Sequence, residues 1–313
     1  MSVRIALHNR PGSFSDRWAM SCQQHGVDHE MVDCYDTDII ARLEGFDALL
    51  WHFDHRSATD LLMARHVLTS AQRMGLVVFP DMATNWHFDD KVAQKYLLEA
   101  VEAPIVPTWA FFDKGRAIEW LRTADYPLVS KLRRGAGSFN VRLVRSFEQA
   151  KAHTQISFGR GYRAVPSYFA DAGTKLRHVS DMKDFWGKLK RMPGLVSRFR
   201  HARHLMGLER GYVLFQKFVP NNLYDTRVTV VGDRAWAFTR DVRRGDFRAS
   251  GSGDVNYDLD RICPETVQIA FEVTQRLKAQ SVAFDFVQDE RGVFYVLEIS
   301  YGYVSSAIHE CPG

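Results

Sequence analysis

Two carboxylates and a serine lie in the stretch from Val282 to Ser300, where they could hold a metal ion. The stretch reads VAFDFVQDERGVFYVLEIS, and its two apolar runs flank a polar turn, which predicts a β-hairpin. Asp285 lies in the first run and Glu298 in the second. Burying an unpaired carboxylate is costly, so each acid needs a partner. The three candidate metal ligands are Asp285, Glu298 and Ser300.

The orientation of these ligands depends on the length of the turn. A four-residue loop at Asp289 to Gly292 would place Gln288 opposite Val293. The same register would place Asp285 opposite Val296, and the three candidate ligands would then share one face of the hairpin. A five-residue loop would break that parity. Oxygen ligands on one face suit a hard cation such as Mg²⁺, which commonly also contacts phosphate. The alternative is a pair of structural acids neutralised by Lys or Arg.

A second candidate site lies between Tyr126 and Val144, in YPLVSKLRRGAGSFNVRLV. This stretch predicts a strand that carries Lys131, then a small-residue loop through Ser138, then another strand. Small residues let backbone N–H groups approach an anion, and the lysine adds a positive charge. An ordinary hairpin turn is the alternative. The spacing is not GxxxxGK[ST] and no helix follows, which excludes a Walker-type P-loop.

Other cations surround these two stretches. Lys91 lies in the first turn of a predicted helix, DDKVAQKYLLEAV, where the dipole gives a cation no stabilisation. It is therefore either solvated or directed at an anion. Arg227 alternates with valines in DTRVTVV and so lies on the opposite face of that strand. Arg240 and Arg248 belong to an arginine cluster that suits charge stabilisation beside a phosphate.

The composition indicates an ordinary globular chain. Its 313 residues are enough for two domains. It has no run of eighteen apolar residues and no signal-peptide pattern at its start, so we expect neither a transmembrane segment nor secretion. Its four scattered cysteines show no CxxC spacing, which predicts reduced thiols and a cytoplasmic location.

Positive charge is concentrated in residues 155–210, which hold twelve Lys or Arg against four Asp or Glu. Such a basic, amphipathic insertion could face a membrane surface, nucleic acid or an acidic substrate, or it could be a solvated helix pair. The aromatic pattern of an RNA-binding sheet is absent, so nucleic acid is not the expected partner.

Strands alternate with helices over residues 1–88, which predicts a small parallel sheet there. Apolar strands are expected at Val3 to Leu7, Asp47 to Phe53 and Leu76 to Phe79. No Gly-x-Gly-x-x-Gly fingerprint accompanies them, so a dinucleotide site is not supported.

Taken in order, these segments resemble the ATP-grasp superfamily, most closely its RimK and glutathione-synthase-like branch. The resemblance runs from Asp89 to Tyr301, about two thirds of the chain. It is carried by DDKVAQKYLLE, YPLVSKLRRGAGSFNV, FQKFVP, DTRVTVVGDRAWAFTR, GDFRASGSG and the predicted hairpin at Val282 to Ser300. It implies an α/β (α+β) chain in which residues 1–88 form a parallel α/β pre-domain and residues 89–313 form the ATP-grasp domain. The latter divides into a lysine-strand part at about 103–210, with the basic insertion 155–210, and a hinge and metal part at about 211–313.

The resemblance also implies roles for individual residues. Nucleotide contacts fall on Lys91, Lys131, Gly135, Ala136, Gly137, Ser138, Gln216, Lys217, Phe218, Val219 and Asp225. Catalytic roles fall on Arg227, Arg240 and Arg248, and metal ligation falls on Asp285, Glu298 and Ser300. Lys217 stands where the family often has an acid, and Ser300 replaces the usual Asn.

The implied activity is ATP-dependent joining of a carboxylate to an amine through an acylphosphate, with one or two Mg²⁺ ions. The basic insertion motivates a large anionic acceptor, such as an acidic peptide or a glycan precursor. Two alternatives stay open: a non-catalytic ATP sensor, and a basic protein that binds nucleic acid or a membrane surface. The sequence also leaves open a homo-oligomer.

Overall fold

The computed structural model describes residues 3–55, 57–134, 140–163, 207–242 and 254–311. The predicted phosphate loop at Gly135 to Ser138, Arg248 and most of the basic insertion therefore lie outside the described residues. None of the described helices is long and apolar enough to cross a bilayer.

The first sheet is parallel, as the alternation of strands and helices predicted. Its strands are β1 (Arg4–His8), β2 (Asp28–Val32), β3 (Ala48–Leu50) and β4 (Val77–Phe79). They pair in the order β2-β1-β3-β4. The helices of this region are α1 (Phe14–Gln24), α2 (Ile39–Arg42), α3 (Ala58–Arg73) and α4 (Met82–Asn85). Strand β2 is an exposed edge strand with the sequence DHEMV, so no apolar run indicates it.

The second sheet is antiparallel and carries Lys131 at the end of a strand. Helix α5 (Lys91–Ala100) precedes it, and Asp90 caps that helix by accepting from the N–H groups of Val92 and Ala93. Its strands are β5 (Thr108–Phe111), β6 (Leu128–Lys131), β7 (Val141–Val144) and β10 (Val213–Lys217), in the order β5-β10-β6-β7. Helices α6 (Lys114–Leu121) and α7 (Phe147–Phe158) and the short pair β8 (Tyr162–Arg163) and β9 (Leu208–Glu209) complete this region.

The third sheet carries the candidate metal ligands. Its strands are β11 (Tyr224–Val231), β12 (Arg234–Asp241), β13 (Val255–Asn256), β14 (Ser281–Gln288) and β15 (Phe294–Ser300). They pair antiparallel in the order β13-β12-β11-β14-β15. Helix α8 (Pro264–Leu277) packs its apolar side on this sheet, and a short α9 (Ser306–His309) follows. Val228 and Val230 lie in the core beneath the sheet, which leaves Arg227 on the other face, as the alternation predicted.

The end of β15 joins the third sheet to the first. Tyr301 follows Ser300 directly, is fully buried in the core of the first sheet and donates its hydroxyl hydrogen to the carbonyl of Phe53. Gly302 comes next, and a Cβ there would lie 2.8 Å from the Phe88 ring. A side chain at this position would displace the ring, so glycine allows the close packing that anchors the end of β15.

Candidate active site

The turn between β14 and β15 differs from the one expected. It has five residues because Val293 belongs to it. Gln288 therefore pairs with Phe294, and Phe286 pairs with Val296. The register predicted from a four-residue loop is wrong.

A β-bulge nevertheless places the candidate ligands on one face. The register shifts between Phe286 and Asp285, so that Leu297 is the extra residue and Glu298 lies directly opposite Asp285. Ser300 pairs with Ala283, two residues further along both strands. Directly opposed and alternate residues share a face, so Asp285, Glu298 and Ser300 face the same side of the sheet.

Lys91 faces Glu298 from the first turn of α5. Its Nζ lies 3.2 Å from Glu298 Oε1, and the lysine is 8% exposed. Burial opposes the charged form, but the carboxylates of Glu298 and Asp89 outweigh it and raise the pKa of Lys91. Lys91 is therefore a fixed positive charge beside the candidate metal face.

Lys131, at the end of β6, is the second cation of this cleft. It is also 8% exposed, and burial lowers its pKa to about 8. The Glu298 carboxylate opposes that shift, whereas the positive charge of Lys91 adds to it. The two lysines thus act on one region of space together with Glu298. An anion bound there would relieve their mutual repulsion.

Asp285 is held by two guanidiniums. Arg227 Nε donates to its Oδ1 at 2.7 Å, Arg227 Nη2 donates to its Oδ2 at 2.8 Å, and Arg240 Nη2 lies 2.8 Å from the same Oδ2. Burial alone would raise the pKa of Asp285, but these two cations hold it well below its ordinary value. Asp285 is thus ionised at neutral pH.

Asp225 orients Arg240. Arg240 donates from Nε and Nη2 to the two Asp225 oxygens, at 2.7 and 2.5 Å. Both side chains are buried, and the bidentate geometry fixes the guanidinium plane. Asp225 therefore lies behind the arginines in this structure and uses both of its oxygens on Arg240.

The predicted nucleotide hinge leaves β10 beside this cleft. Gln216 is buried and donates to Thr108 Oγ1 at 3.0 Å, whereas the Lys217 side chain is exposed. The Lys217 N–H donates to the carbonyl of Pro107 at 2.8 Å. Phe218 and Val219 follow, half-buried. The cleft beside them is lined by Lys91, Gln94, Lys95, Leu98, Ile105, Thr108, Lys131, Leu214, Gln216, Val296 and Leu297.

A buried network supports the start of the predicted phosphate loop. The Arg133 N–H donates to the Tyr212 hydroxyl at 2.7 Å, and that hydroxyl donates to Glu209 Oε2 at 2.7 Å. The Arg133 carbonyl accepts from the Lys91 N–H at 3.0 Å. No local spacing in the sequence marks this network, because Arg133 contacts Lys91 and Tyr212, which lie 42 and 79 positions away.

A sequence comparison finds a family match for the segment that contains Asp285, Glu298 and Ser300. Residues 195–306 match the model of the RimK-like ATP-grasp domain. A search of curated proteins finds no match.

Solved structures extend the likeness over the whole chain. A RimK domain ATP-grasp protein from Sphaerobacter thermophilus has a TM-score of 0.58 and 18% identity, covering 97% of this chain and 94% of its own. D-alanine–D-alanine ligase from Bacillus anthracis, complexed with ATP, has a TM-score of 0.56 and 11% identity, covering 96% and 87%. N5-carboxyaminoimidazole synthetase from Staphylococcus aureus, complexed with ADP, has a TM-score of 0.58 and 13% identity, covering 98% and 72%.

The chain adopts the ATP-grasp fold. The resemblance inferred from the sequence segments is thereby confirmed, since residues 195–306 match the RimK-like ATP-grasp domain model. At these identities, the structural likeness concerns the fold alone.

The sheet face that bears Asp285, Glu298 and Ser300 has a set of oxygen donors that partly suits Mg²⁺, which prefers oxygen ligands. The Glu298 side chain is 32% exposed and faces Lys91, so it can turn to a cation. Asp285 accepts three guanidinium contacts, and a carboxylate offers about four lone-pair positions, so about one remains, on Oδ1. Ser300 adds a hydroxyl oxygen on the same face. Among the described residues, no group of three or more His, Cys, Asp and Glu side chains has metal-binding geometry. The fit thus depends on the two acids together with the serine and the ligand's own oxygens.

Proposed function

We propose that this chain is an ATP-dependent ligase that joins a carboxylate to an amine and releases ADP and phosphate. The observation that carries the proposal is the convergence of Lys91 and Lys131 on the face that bears Asp285 and Glu298. Two buried ammonium groups beside two carboxylates suit a ligand that is itself anionic and brings a divalent cation. A nucleoside triphosphate with Mg²⁺ has that chemistry.

The lysines would hold the phosphates, and the loop at Gly135 to Ser138 would cover them. Both lysines are buried, so their attraction for an anion is screened less than that of surface lysines. The segment Gln216 to Val219 would hold the adenine at the end of β10.

Glu298, Asp285 and Ser300 would hold Mg²⁺, which would neutralise charge on the β- and γ-phosphates. Because Asp285 keeps its contacts with Arg227 and Arg240, it would offer a single oxygen. Glu298 would exchange its contact with Lys91 for the cation, which frees the lysine to face a phosphate oxygen.

The reaction would proceed in two displacements. A substrate carboxylate oxygen attacks the γ-phosphorus, the bond to the β-phosphate oxygen breaks, and ADP leaves. The amine nitrogen then attacks the acyl carbon, phosphate leaves, and the nitrogen loses a proton. Arg227, Arg240 and Arg248 would stabilise the negative charge that develops in these steps. Exclusion of water would protect the acylphosphate from hydrolysis.

The acceptor is proposed to be anionic, for example an acidic peptide or a glycan precursor. This rests on the basic insertion 155–210, at whose described start Arg160 and Arg163 are exposed. In this scheme, residues 1–88 form the pre-domain and residues 89–313 form the ATP-grasp domain.

A second candidate is a nucleotide-binding protein that catalyses no ligation. The observation that favours it is that two guanidiniums occupy about three of the four acceptor positions of Asp285, which leaves only one oxygen position for a metal ion. Such a protein would bind ATP and release no ADP with any substrate mixture.

A coupled ADP-release assay distinguishes the two candidates. The assay pairs amino acids, neutral peptides, acidic peptides and uronic-acid sugar nucleotides with Mg²⁺ and ATP. The ligase predicts ADP release that needs both a carboxylate and an amine, prefers an anionic acceptor and falls by about 100-fold or more in Glu298→Gln. ATP binding without ADP release across the panel would favour the sensor, and equal rates with neutral acceptors would contradict the anionic acceptor.

A further inference from the structure

Strand β15 is the edge of the third sheet, so its outer peptide groups need partners from elsewhere. The segment before β5 supplies the first of them. The Val296 N–H donates to the Pro104 carbonyl at 2.7 Å, and the Val296 carbonyl accepts from the Val106 N–H at 3.1 Å. The next outward peptide groups are those of Ile299.

A side-chain amide from α5 pairs with Ile299 in both directions. Gln94 Nε2 donates to the Ile299 carbonyl at 2.9 Å, and Gln94 Oε1 accepts from the Ile299 N–H at 3.4 Å. Gln94 Nε2 also lies 3.3 Å from the His87 carbonyl. Gln94 is 4% exposed. Among the described residues no strand pairs with β15 at Ile299, so this amide takes the place of a neighbouring strand there.

The position of this contact depends on the bulge at Leu297. In a regular strand, every second residue turns its peptide groups outward, so Val296 would be followed by Glu298. The extra residue moves the outward groups to Ile299 and turns Glu298 to the face of Asp285. The hydrogen bonds of Gln94 to Ile299 therefore stabilise the bulged register, in which Glu298 lies on the face of Asp285.

We infer that Gln94 is a positioning residue that holds β15 in its bulged register and thereby keeps Glu298 available for Mg²⁺. It lies one helical turn after Lys91, whose ammonium group contacts Glu298. Helix α5 thus contacts β15 twice: Gln94 bonds the main chain of Ile299, and Lys91 contacts the side chain of Glu298. This inference rests on the proposed function, because it assumes that the site takes a Mg²⁺-nucleotide.

The test compares ADP affinity with Mg²⁺ and in EDTA, by titration calorimetry on the full chain. Gln94→Leu removes the amide and keeps a similar volume. We expect the gain in affinity that Mg²⁺ gives to fall by about 10-fold or more, as for other groups that orient metal ligands. The metal-free dissociation constant should change by less than about threefold, because the lysines remain. If Gln94→Leu does not fold, Gln94→Met carries the same prediction.

Gln280 offers a matched control. Its Nε2 donates to the Val78 carbonyl at 2.8 Å and its Oε1 accepts from the Asp81 N–H at 2.9 Å, so it too is an amide that bonds main chain in both directions. Gln280→Leu should lower the melting temperature and leave the Mg²⁺-dependent gain unchanged. An unchanged gain in Gln94→Leu, with a clear gain in the wild type, would overturn the role of Gln94 alone. A wild type without any Mg²⁺-dependent gain would overturn both this role and the proposed metal site.

Discussion

Lys91 Nζ lies 3.2 Å from Glu298 Oε1, so an ion pair joins the first turn of α5 to the edge strand of the third sheet. Each partner neutralises the other beside the cleft that Lys91 lines. In the proposed complex, the lysine faces phosphate and the carboxylate faces Mg²⁺, so ligand binding exchanges one ion pair for two. The pair therefore keeps a buried ammonium group and a partly buried carboxylate compensated until the ligand arrives.

The lowered pKa of Lys131 predicts that nucleotide binding weakens in alkaline solution. With a pKa of about 8, the side chain is charged below pH 8 and loses its charge above it. A bound phosphate favours the charged form, so the dissociation constant for ADP should rise by up to about 10-fold per pH unit above 8. Titrations in EDTA from pH 7 to 9.5 measure this.

Lys131→Arg is the control for that profile, because a guanidinium stays charged over the whole range. Its dissociation constant should stay level where that of the wild type rises. A wild-type profile that is flat up to pH 9.5 would show that Lys131 does not contact the phosphates.

Tyr212→Phe should disturb the phosphate site from a distance. It removes the hydroxyl that donates to Glu209 and accepts from the Arg133 N–H, so a buried carboxylate and a partly buried N–H each lose a partner. We expect a loss of about 1–3 kcal/mol in the free energy of unfolding and a rise of about 3- to 10-fold in the KM for ATP. The KM changes because the Arg133 carbonyl bonds the main chain of Lys91.

The matched variant is Tyr126→Phe, which removes a hydroxyl that donates to the Leu121 carbonyl at 2.8 Å; Tyr126 is partly buried and packs against the core of the second sheet. It should lower stability without changing the KM for ATP. Equal KM values for the two variants would contradict the supporting role of Tyr212.

His153 predicts how the stability of the fold depends on pH. It bridges the Ser130 hydroxyl at 2.6 Å and the Tyr162 hydroxyl at 2.8 Å, and burial, with the nearby Arg142, lowers its pKa to about 4. In the unfolded chain, histidine has a pKa of about 6.5. The unfolded state therefore binds more protons between pH 6.5 and 4, so stability is full above 6.5 and falls as the pH drops through this window.

Urea unfolding from pH 7 to 4.5 measures this effect. The wild type should lose roughly 2–3 kcal/mol more than His153→Gln, which has no proton to gain. Parallel profiles for the wild type and His153→Gln would mean that the ring titrates equally in both states.

Much of this architecture could be predicted from the order of apolar runs and turns. The acids of the hairpin could be placed on one face, yet the pairing behind that prediction was wrong, because Val293 joins the turn and Leu297 forms a bulge. The bulge turns the peptide groups of Ile299 to the outer edge of β15, where they bond Gln94, about 200 residues away. No local sequence pattern shows such a contact.

The same limit applies to strand β2 and to the network at Glu209. β2 is an exposed, polar edge strand that forms because β1 offers it hydrogen bonds, so its own residues carry no apolar signal. Tyr212 contacts Arg133, just before the predicted loop, through a tertiary hydrogen bond, and Glu209 accepts from Tyr212. Periodicity predicts what a segment buries, and it does not predict which distant main-chain group a side chain bonds.

Transfer of ¹⁸O from the carboxylate substrate to phosphate tests most directly whether the chain is a ligase that works through an acylphosphate. With the substrate pair that supports ADP release, the carboxylate is labelled in both oxygens and the phosphate is analysed by mass spectrometry. An acylphosphate requires one substrate oxygen to leave with the phosphate. We expect one ¹⁸O in each phosphate released, with amide formed in equal amount and both products lost in Glu298→Gln. Unlabelled phosphate released at the same rate as ADP would contradict it, because the γ-phosphate would then have been transferred to water.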